Sequence, residues 1–366
     1  MKKEFFLSIL FGKRRGFLAT FIRTALSAFT YPYLVILSIR NAFYEHGIIK
    51  SCKLPVNVIS IGNITMGGTG KTPLVELTAM YLQKKGKKTA ILSRGYGSHS
   101  HSAAKNDVSG NNSNQKEHDI VNDECVSLSE NLKDTPILIG KDRAQNGERA
   151  IRDYGVNCLI LDDGFQHLRI KRDIDIVVID SLNPFAGESL IPRGTLREPV
   201  KNLCRANLFV LSNCNMIDKN TLNSIYTNLH HINSNTQICE SIHKPTYIEN
   251  IRDNSILEPE WLKGKRIYGI CAIGNPDSFE FTLKELGADL VKLQVFRDHH
   301  YYTQKELDDI ISESQSLGSE AIVVTQKDIV KIRNMNTNNA NILSLKIEMQ
   351  ITKGLEFYEK AIARML

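Results

Sequence analysis

The run Ser60-Ile61-Gly62-Asn63-Ile64-Thr65-Met66-Gly67-Gly68-Thr69-Gly70-Lys71-Thr72 follows an apolar stretch, Val56 to Ile61, and opens a helix-like segment. That is the layout of a phosphate cradle. Glycines let successive backbone N–H groups turn toward one anion, and the helix N-terminus adds its dipole. A lysine at the end of such a loop reaches the β/γ-phosphates, and the following hydroxyl ligates Mg²⁺. Gly67, Gly68, Thr69, Gly70, Lys71 and Thr72 are therefore expected to hold a nucleoside triphosphate, with Thr72 on the metal side. Thr65 stands where the usual spacing has the first glycine.

A second cluster, Cys158-Leu159-Ile160-Leu161-Asp162-Asp163-Gly164-Phe165-Gln166-His167, is an apolar strand ending in carboxylates. A P-loop enzyme uses such a strand end to hold Mg²⁺ beside the threonine hydroxyl, which makes Asp162 the metal-side carboxylate. Asp163, Gln166 and His167 fall at the same edge and are candidate substrate contacts. Arg94, Arg193 and Arg197 sit in Gly- and Pro-containing segments, where a planar guanidinium suits a phosphate. Surface ion pairs are the alternative for each. His299 follows Asp298, which can fix its tautomer. Thr325-Gln326-Lys327-Asp328 echoes the base-reading Lys-x-Asp element of other P-loop folds.

Short runs rich in Val, Ile and Leu must position these residues. They recur at Val56–Ile61, Thr89–Leu92, Pro136–Ile139, Cys158–Leu161, Ile174–Ile179 and Leu208–Leu211, with helix-length segments between them. Such alternation predicts an α/β fold with mostly parallel sheets flanked by helices. A second set, Arg266–Ile273, Leu290–Phe296, Ala321–Thr325 and Ile342–Leu345, predicts a second α/β lobe over 251–366. The catalytic lobe is expected over 51–212, a linker region over 213–250, and a flexible polar insertion at 98–118. The three histidines of that insertion lack partners at metal-ligand spacing.

All of the formal net charge of +6 lies in residues 1–50, where eight Lys and Arg face only Glu4 and Glu45. The remainder is balanced, which argues against a nucleic-acid binder. The seven scattered cysteines include no Cys-x-x-Cys pair and suit reduced thiols. From Phe5 to Ile49 apolar side chains alternate with a few cations. The uncharged stretch Thr24–Ile39 would cover roughly 24 Å as a helix, short of the roughly 30 Å hydrocarbon core, and Pro32 should kink it. The segment fits an amphipathic helical anchor on an anionic membrane surface, or else a helix packed on the protein's own core.

The P-loop, Leu92-Ser93-Arg94-Gly95-Tyr96-Gly97, Asp123-Glu124, the Asp162–His167 run, Ile191-Pro192-Arg193-Gly194-Thr195-Leu196-Arg197-Glu198-Pro199, Phe296-Arg297-Asp298-His299 and Thr325–Asp328 occur in one order. In that order they resemble the tetraacyldisaccharide 4′-kinase family over nearly the whole chain. The resemblance implies two P-loop-like lobes, ATP and Mg²⁺ as cofactors, and a site at the cytoplasmic face of the bacterial inner membrane. It also implies transfer of the γ-phosphate to the 4′-hydroxyl of a tetraacylated glucosamine disaccharide 1-phosphate, with no obligate protein partner. The family's base, an Asp of a Gly-Asp-Glu motif, falls on Asp123, and its supporting histidine falls on His299. Asn122 replaces the usual glycine and tolerates left-handed backbone. Thr195 stands where proline is more usual. A membrane-recruited ATPase switch and a nucleotide-binding adaptor are the other readings, and neither uses the Asp162–His167 cluster.

Overall fold

The computed structural model describes residues 16–95 and 123–365, with only the backbone of Asp123. The expected insertion at 98–118, Asn122 and the cations of residues 1–15 lie outside the described residues. Helix α1 (Phe17–Glu45) leads into strand β1 (Asn57–Gly62), helix α2 (Lys71–Lys84) and strand β2 (Thr89–Ser93). Helix α3 (Asp123–Asn131), strand β3 (Ile137–Ile139), helix α4 (Arg143–Tyr154) and strands β4 (Cys158–Asp162), β5 (Ile174–Asp180) and β6 (Leu208–Ser212) follow. Helix α5 (Lys219–Ile232) then precedes strands β7 (Gln237–Asn250), β8 (Ile256–Leu257) and β9 (Arg266–Cys271). Last come α6 (Pro276–Glu285), β10 (Asp289–Val295), α7 (Gln304–Ser316), β11 (Ala321–Thr325), α8 (Gln326–Ile332), β12 (Ile342–Lys353) and α9 (Leu355–Ala363).

The strands form one continuous sheet in the order β10-β9-β11-β12-β7-β6-β5-β1-β4-β2-β3, with β8 beside β7. Pairing is parallel from β3 to β7 and again from β10 to β12, and antiparallel where β7 meets β12. Buried parallel strands require helices on both faces, and their apolar runs are correspondingly unbroken. Residues 213–250, read from the sequence as a linker region, contain α5 and the long strand β7. Capping is local chemistry: the Asp218 carboxylate accepts the Asn220 and Thr221 N–H groups at the start of α5. Thr303 and Glu306 form a reciprocal capping box on α7.

The β7–β12 ladder sets the geometry of everything that follows. Strand β6 pairs with β7 only as far as Glu240, whereas β11 reaches β7 through the pairs Thr325–Leu345 and Leu345–Ile248. The antiparallel junction makes the two halves run in opposite directions, so their carboxyl edges face each other along the middle of β7. Residues 241–247 separate them, about 23 Å of extended chain. Loops after β1, β2 and β4 therefore confront loops after β9, β10 and β11 across one cleft.

Helix α1 has 29 residues and runs through Pro32, with Arg23 and Arg40 inside it. It is longer than its uncharged stretch, and by length and composition it could cross a membrane. Phe17, Phe21, Phe29, Tyr31, Ile36 and Ile39 are exposed. On the other face, Tyr33 and Leu34 pack against the core cluster around Phe165 and Leu196. The Tyr33 hydroxyl donates to the Arg197 carbonyl at 2.9 Å, and Arg40 lies 3.8 Å from the buried Glu198 carboxylate. None of the seven cysteines is in a disulfide.

Candidate active site

The phosphate loop turns sharply at two glycines, Gly67 (φ +115°) and Gly70 (φ +88°), the second being the residue before α2. Both lie in left-handed backbone that other residues rarely adopt. The loop rests on side chains with no recognisable sequence motif. Asn63 Nδ2 donates to Thr69 Oγ1 at 2.8 Å, and the Ser212 hydroxyl donates to the Thr69 carbonyl at 2.9 Å. A Cβ on Gly70 would stand 3.0 Å from His243 Nε2. That imidazole is pushed down to about 4 by burial and by Lys327, so it is neutral at pH 7.

Lys71 opens α2, and its Nζ lies 3.7 Å from Asp163 Oδ1. Arg197 grips the same carboxylate with two nitrogens, at 2.7 and 2.8 Å, and also donates to the Asn63 carbonyl at 3.3 Å. Burial alone would raise the Asp163 carboxyl, but Lys71 and Arg197 outweigh it and hold it at about 2. Burial lowers the Lys71 pKa, and Asp163 opposes that shift. Asp163 has φ +52°. Its tight turn packs Gly164 on β4 and Ser60, where a Cβ would come within 2.6 Å of the serine hydroxyl.

Asp162, one residue earlier, has the opposite fate. Burial, then the carboxylates of Glu124 and Asp163, push it up to about 6, and Ser93 Oγ donates to it at 3.2 Å. Arg143, almost fully buried at the start of α4, donates to the Asp163 carbonyl at 3.2 Å. Gln166 points back into the loop, its Nε2 donating to the Asn63 carbonyl at 2.8 Å. His167 is pushed down to about 4 by burial and then by Arg143, Arg172 and Arg169.

The segment carrying Arg193 and Arg197 is stitched to the phosphate loop: Thr65 pairs with Leu196, and the Met66 N–H donates to the Thr195 carbonyl at 2.8 Å. Arg94 is exposed just beyond β2. The expected contacts thus divide. Lys71, Asp162, Asp163, Gln166 and Arg197 converge on the loop, while Arg94 is exposed and Arg193 half-buried. Thr72 is the second residue of α2, immediately after Lys71.

The second half closes over the loop. A Cβ on Gly274 would lie 2.4 Å from the Gly68 nitrogen, so the two backbones are in direct contact. Asn275 donates to Asp180, at the end of β5, at 3.3 Å. His299 adopts φ +60°, its N–H donates to the Ala272 carbonyl at 3.2 Å, and its Nε2 lies 3.9 Å from Asp298 Oδ1. It lies near Glu124, which follows Asp123 at the start of α3 and is ion-paired with Lys327. Asp328 is fully buried and accepts the Ala272 N–H at 3.0 Å, which commits its carboxylate to the fold rather than to a base. Sequence reasoning did not single out Asn63, Arg143, Ser212, His243 or Gly274.

Known proteins share this architecture and much of this sequence. A family model described as tetraacyldisaccharide-1-P 4′-kinase matches residues 22–365. A tetraacyldisaccharide 4′-kinase of Syntrophus aciditrophicus is 35% identical over 347 residues, 93% of this chain and 92% of the relative. One from Elusimicrobium minutum is 37% identical over 340 residues, 89% and 87% of the two chains. LpxK from Aquifex aeolicus, crystallised in complex with ATP, superposes with a TM-score of 0.71 at 27% identity, covering 94% of this chain and 99% of that one. Matched by the family model over residues 22–365, and 35% identical to a relative across nearly the full length of both chains, this chain belongs to the tetraacyldisaccharide 4′-kinase family.

Proposed function

We propose that this protein transfers the γ-phosphate of ATP to the 4′-hydroxyl of a tetraacylated glucosamine disaccharide 1-phosphate, forming the lipid IVA precursor of lipid A, with Asp123 as general base supported by His299. The observation that carries this reading is the cleft itself. A lysine, an arginine and two aspartates stand at the phosphate loop, and loops of the opposite half lie directly against it. A sugar hydroxyl is a weak nucleophile, so a carboxylate must accept its proton as the bond to phosphorus forms. Asp123 begins α3 at this edge, and His299 reaches the same cleft from the other half. Lys71, held in place by Asp163, supplies positive charge to the transferred oxygens. Arg197 locks Asp163 and is a candidate for the substrate phosphate, together with Arg94, Arg193, Gln166 and His167.

Mg²⁺ fits the donor set. Asp162 is a buried carboxylate repelled by Glu124 and Asp163, which a divalent cation would relieve. One carboxylate and the Thr72 hydroxyl, completed by phosphate oxygens, are the hard donors Mg²⁺ takes in such sites. Bound there, it would neutralise charge developing between the β- and γ-phosphates.

Helix α1 fits the membrane side of the reaction. Its exposed aromatic and aliphatic face would lie in the cytoplasmic leaflet, with the basic residues before it on anionic headgroups.

The test uses γ-labelled ATP and detergent-dispersed acyl-disaccharide phosphate. Label should move to the lipid, and Lys71→Ala should depress transfer by about 10²–10³-fold. Asp123→Ala should lower kcat far more than ATP affinity. Label released only as inorganic phosphate, or an Asp123→Ala enzyme impaired only in its KM for ATP, would overturn the reading.

A further inference from the structure

The Thr325–Asp328 motif is not used by the chemistry above, yet it is built into the cleft with care. Thr325 caps α8, its hydroxyl donating to Asp328 Oδ2 at 2.6 Å and accepting the Asp328 N–H. Asp328 in turn accepts the Ala272 N–H at the end of β9, so the start of α8 is pinned from two sides inside the second half. The two residues between them point the other way, across the cleft. Lys327 Nζ is ion-paired with Glu124, and Gln326 Nε2 donates to Asn131 Oδ1 at 2.9 Å. Farther along, Arg333 reaches Glu130 at 3.1 Å. Helix α8 is thus tied along the whole length of α3, from its first turn to its last.

We infer that Lys327 is a positioning residue for phosphoryl transfer: anchored in the second half, it holds the first turn of α3, and with it residue 123, at the phosphate loop. The inference rests on the reading of Asp123 as the base. Glu124 and Lys327 are both little exposed, with about a quarter of each side chain accessible. A charge-assisted hydrogen bond is stronger than a neutral one, and a partly buried pair is screened less than an exposed one. Among the described residues, the groups facing Lys327 include Glu124 from α3 and the neutral His243 from β7; Glu124 also feels Lys71 from α2 and His299 from the second half. Because residue 123 immediately precedes the clamped residue, slack in this contact displaces it directly. A displacement of about 1 Å in a reacting group can cost about a hundredfold in rate.

The experiment compares Lys327→Gln, Lys327→Met and Lys327→Arg with Arg333→Ala and Asp123→Asn, measuring kcat, the KM for ATP, and melting temperature. The two neutral Lys327 variants should lose roughly tenfold or more in kcat with KM for ATP within about threefold, and Lys327→Arg should recover part of the loss. Arg333→Ala, which cuts the outer tie and the Arg333–Glu249 pair but leaves Lys327 in place, should melt slightly earlier and keep its kcat. If both neutral variants raise KM for ATP at unchanged kcat, Lys327 is a nucleotide contact and the inference fails. It fails equally if they only melt earlier. An active Asp123→Asn would instead remove the base assignment itself, whatever Lys327 does.

Discussion

Asp162 and Asp163 are adjacent in the chain and electrostatically opposite. Asp163, gripped by Arg197 and Lys71, is held at about 2; Asp162, buried beside other carboxylates, is pushed up to about 6. The depressed group contributes stability that is present above its unfolded pKa near 4 and is lost as pH falls toward 2. For the raised group the sign reverses: its contribution is fully present below about 4 and is lost as pH rises through about 6. Asp162→Asn removes that loss, so the metal-free variant should melt a few degrees higher than the parent at pH 7.5 and about the same at pH 4. Its Mg²⁺-dependent transfer should collapse. Thermal melts at the two pH values check this, and a variant less stable at pH 7.5 would mean that the carboxylate is structurally needed. Both aspartates were legible because a strand-terminal carboxylate beside a Gly-Lys-Thr loop has a chemical reason to be there. Asn63, Ser212 and Arg143 were not, because a hydrogen bond to a threonine hydroxyl or to a backbone carbonyl leaves no pattern in residue spacing.

At the scale of elements, the same contrast separates the parallel strands from their junction. Runs such as Cys158–Leu161 and Ala321–Thr325 are buried on both faces and read as unbroken apolar segments. Strand β7 is only half buried, contains Lys244 and Pro245, and looked like the end of a linker region. Its identity depends on β12 lying beside it, which no local window contains. Gly274 belongs to this class of feature, since its importance lies in what it touches. The β9–α6 loop brings it onto Gly68, and its conformation does not itself demand glycine. Gly274→Ala would put a methyl 2.4 Å from a backbone nitrogen that has no side chain to swing aside. The halves must then part at the cradle. We expect a folded protein with kcat/KM for ATP reduced about tenfold or more, because misplacement by a few tenths of an ångström to 1 Å is costly in such sites. Steady-state kinetics with circular dichroism checks this; unchanged kcat/KM would mean that the contact opens freely during turnover.

The whole molecule links the apolar helix α1 to the phosphate site in very few steps. Tyr33 holds the carbonyl of Arg197, Arg40 lies beside Glu198, and Arg197 itself holds Asp163 next to Lys71. Glu198 is fully buried and is shared with Arg205 at 2.9 Å, so the far side of the segment is fixed to the core. Deleting residues 1–45 therefore has two separable consequences. The exposed apolar face of α1 and the basic residues before it are lost together, so the protein should move to the soluble fraction. In the intact chain, salt alone should release it only partly, since each basic residue at an anionic surface contributes about 1 kcal/mol that salt screens, whereas buried apolar side chains are not screened. The deletion also frees the Arg197 carbonyl and removes the Arg40 charge from Glu198, which should loosen the arginine on Asp163. Activity toward the acylated substrate should consequently fall more than ATP binding, and a detergent-dispersed substrate should not restore it fully. Tyr33→Phe separates the two effects: it keeps the apolar face and removes one hydrogen bond, typically worth about 0.5–1.5 kcal/mol. It should sediment with vesicles as the parent does and turn over several-fold more slowly. If the truncated protein still sediments in high salt and works at full rate on lipid in vesicles, α1 is a core element without a membrane role. If Tyr33→Phe turns over at the parental rate while the truncation loses both binding and activity, α1 acts by concentrating the enzyme on its substrate and not through Arg197.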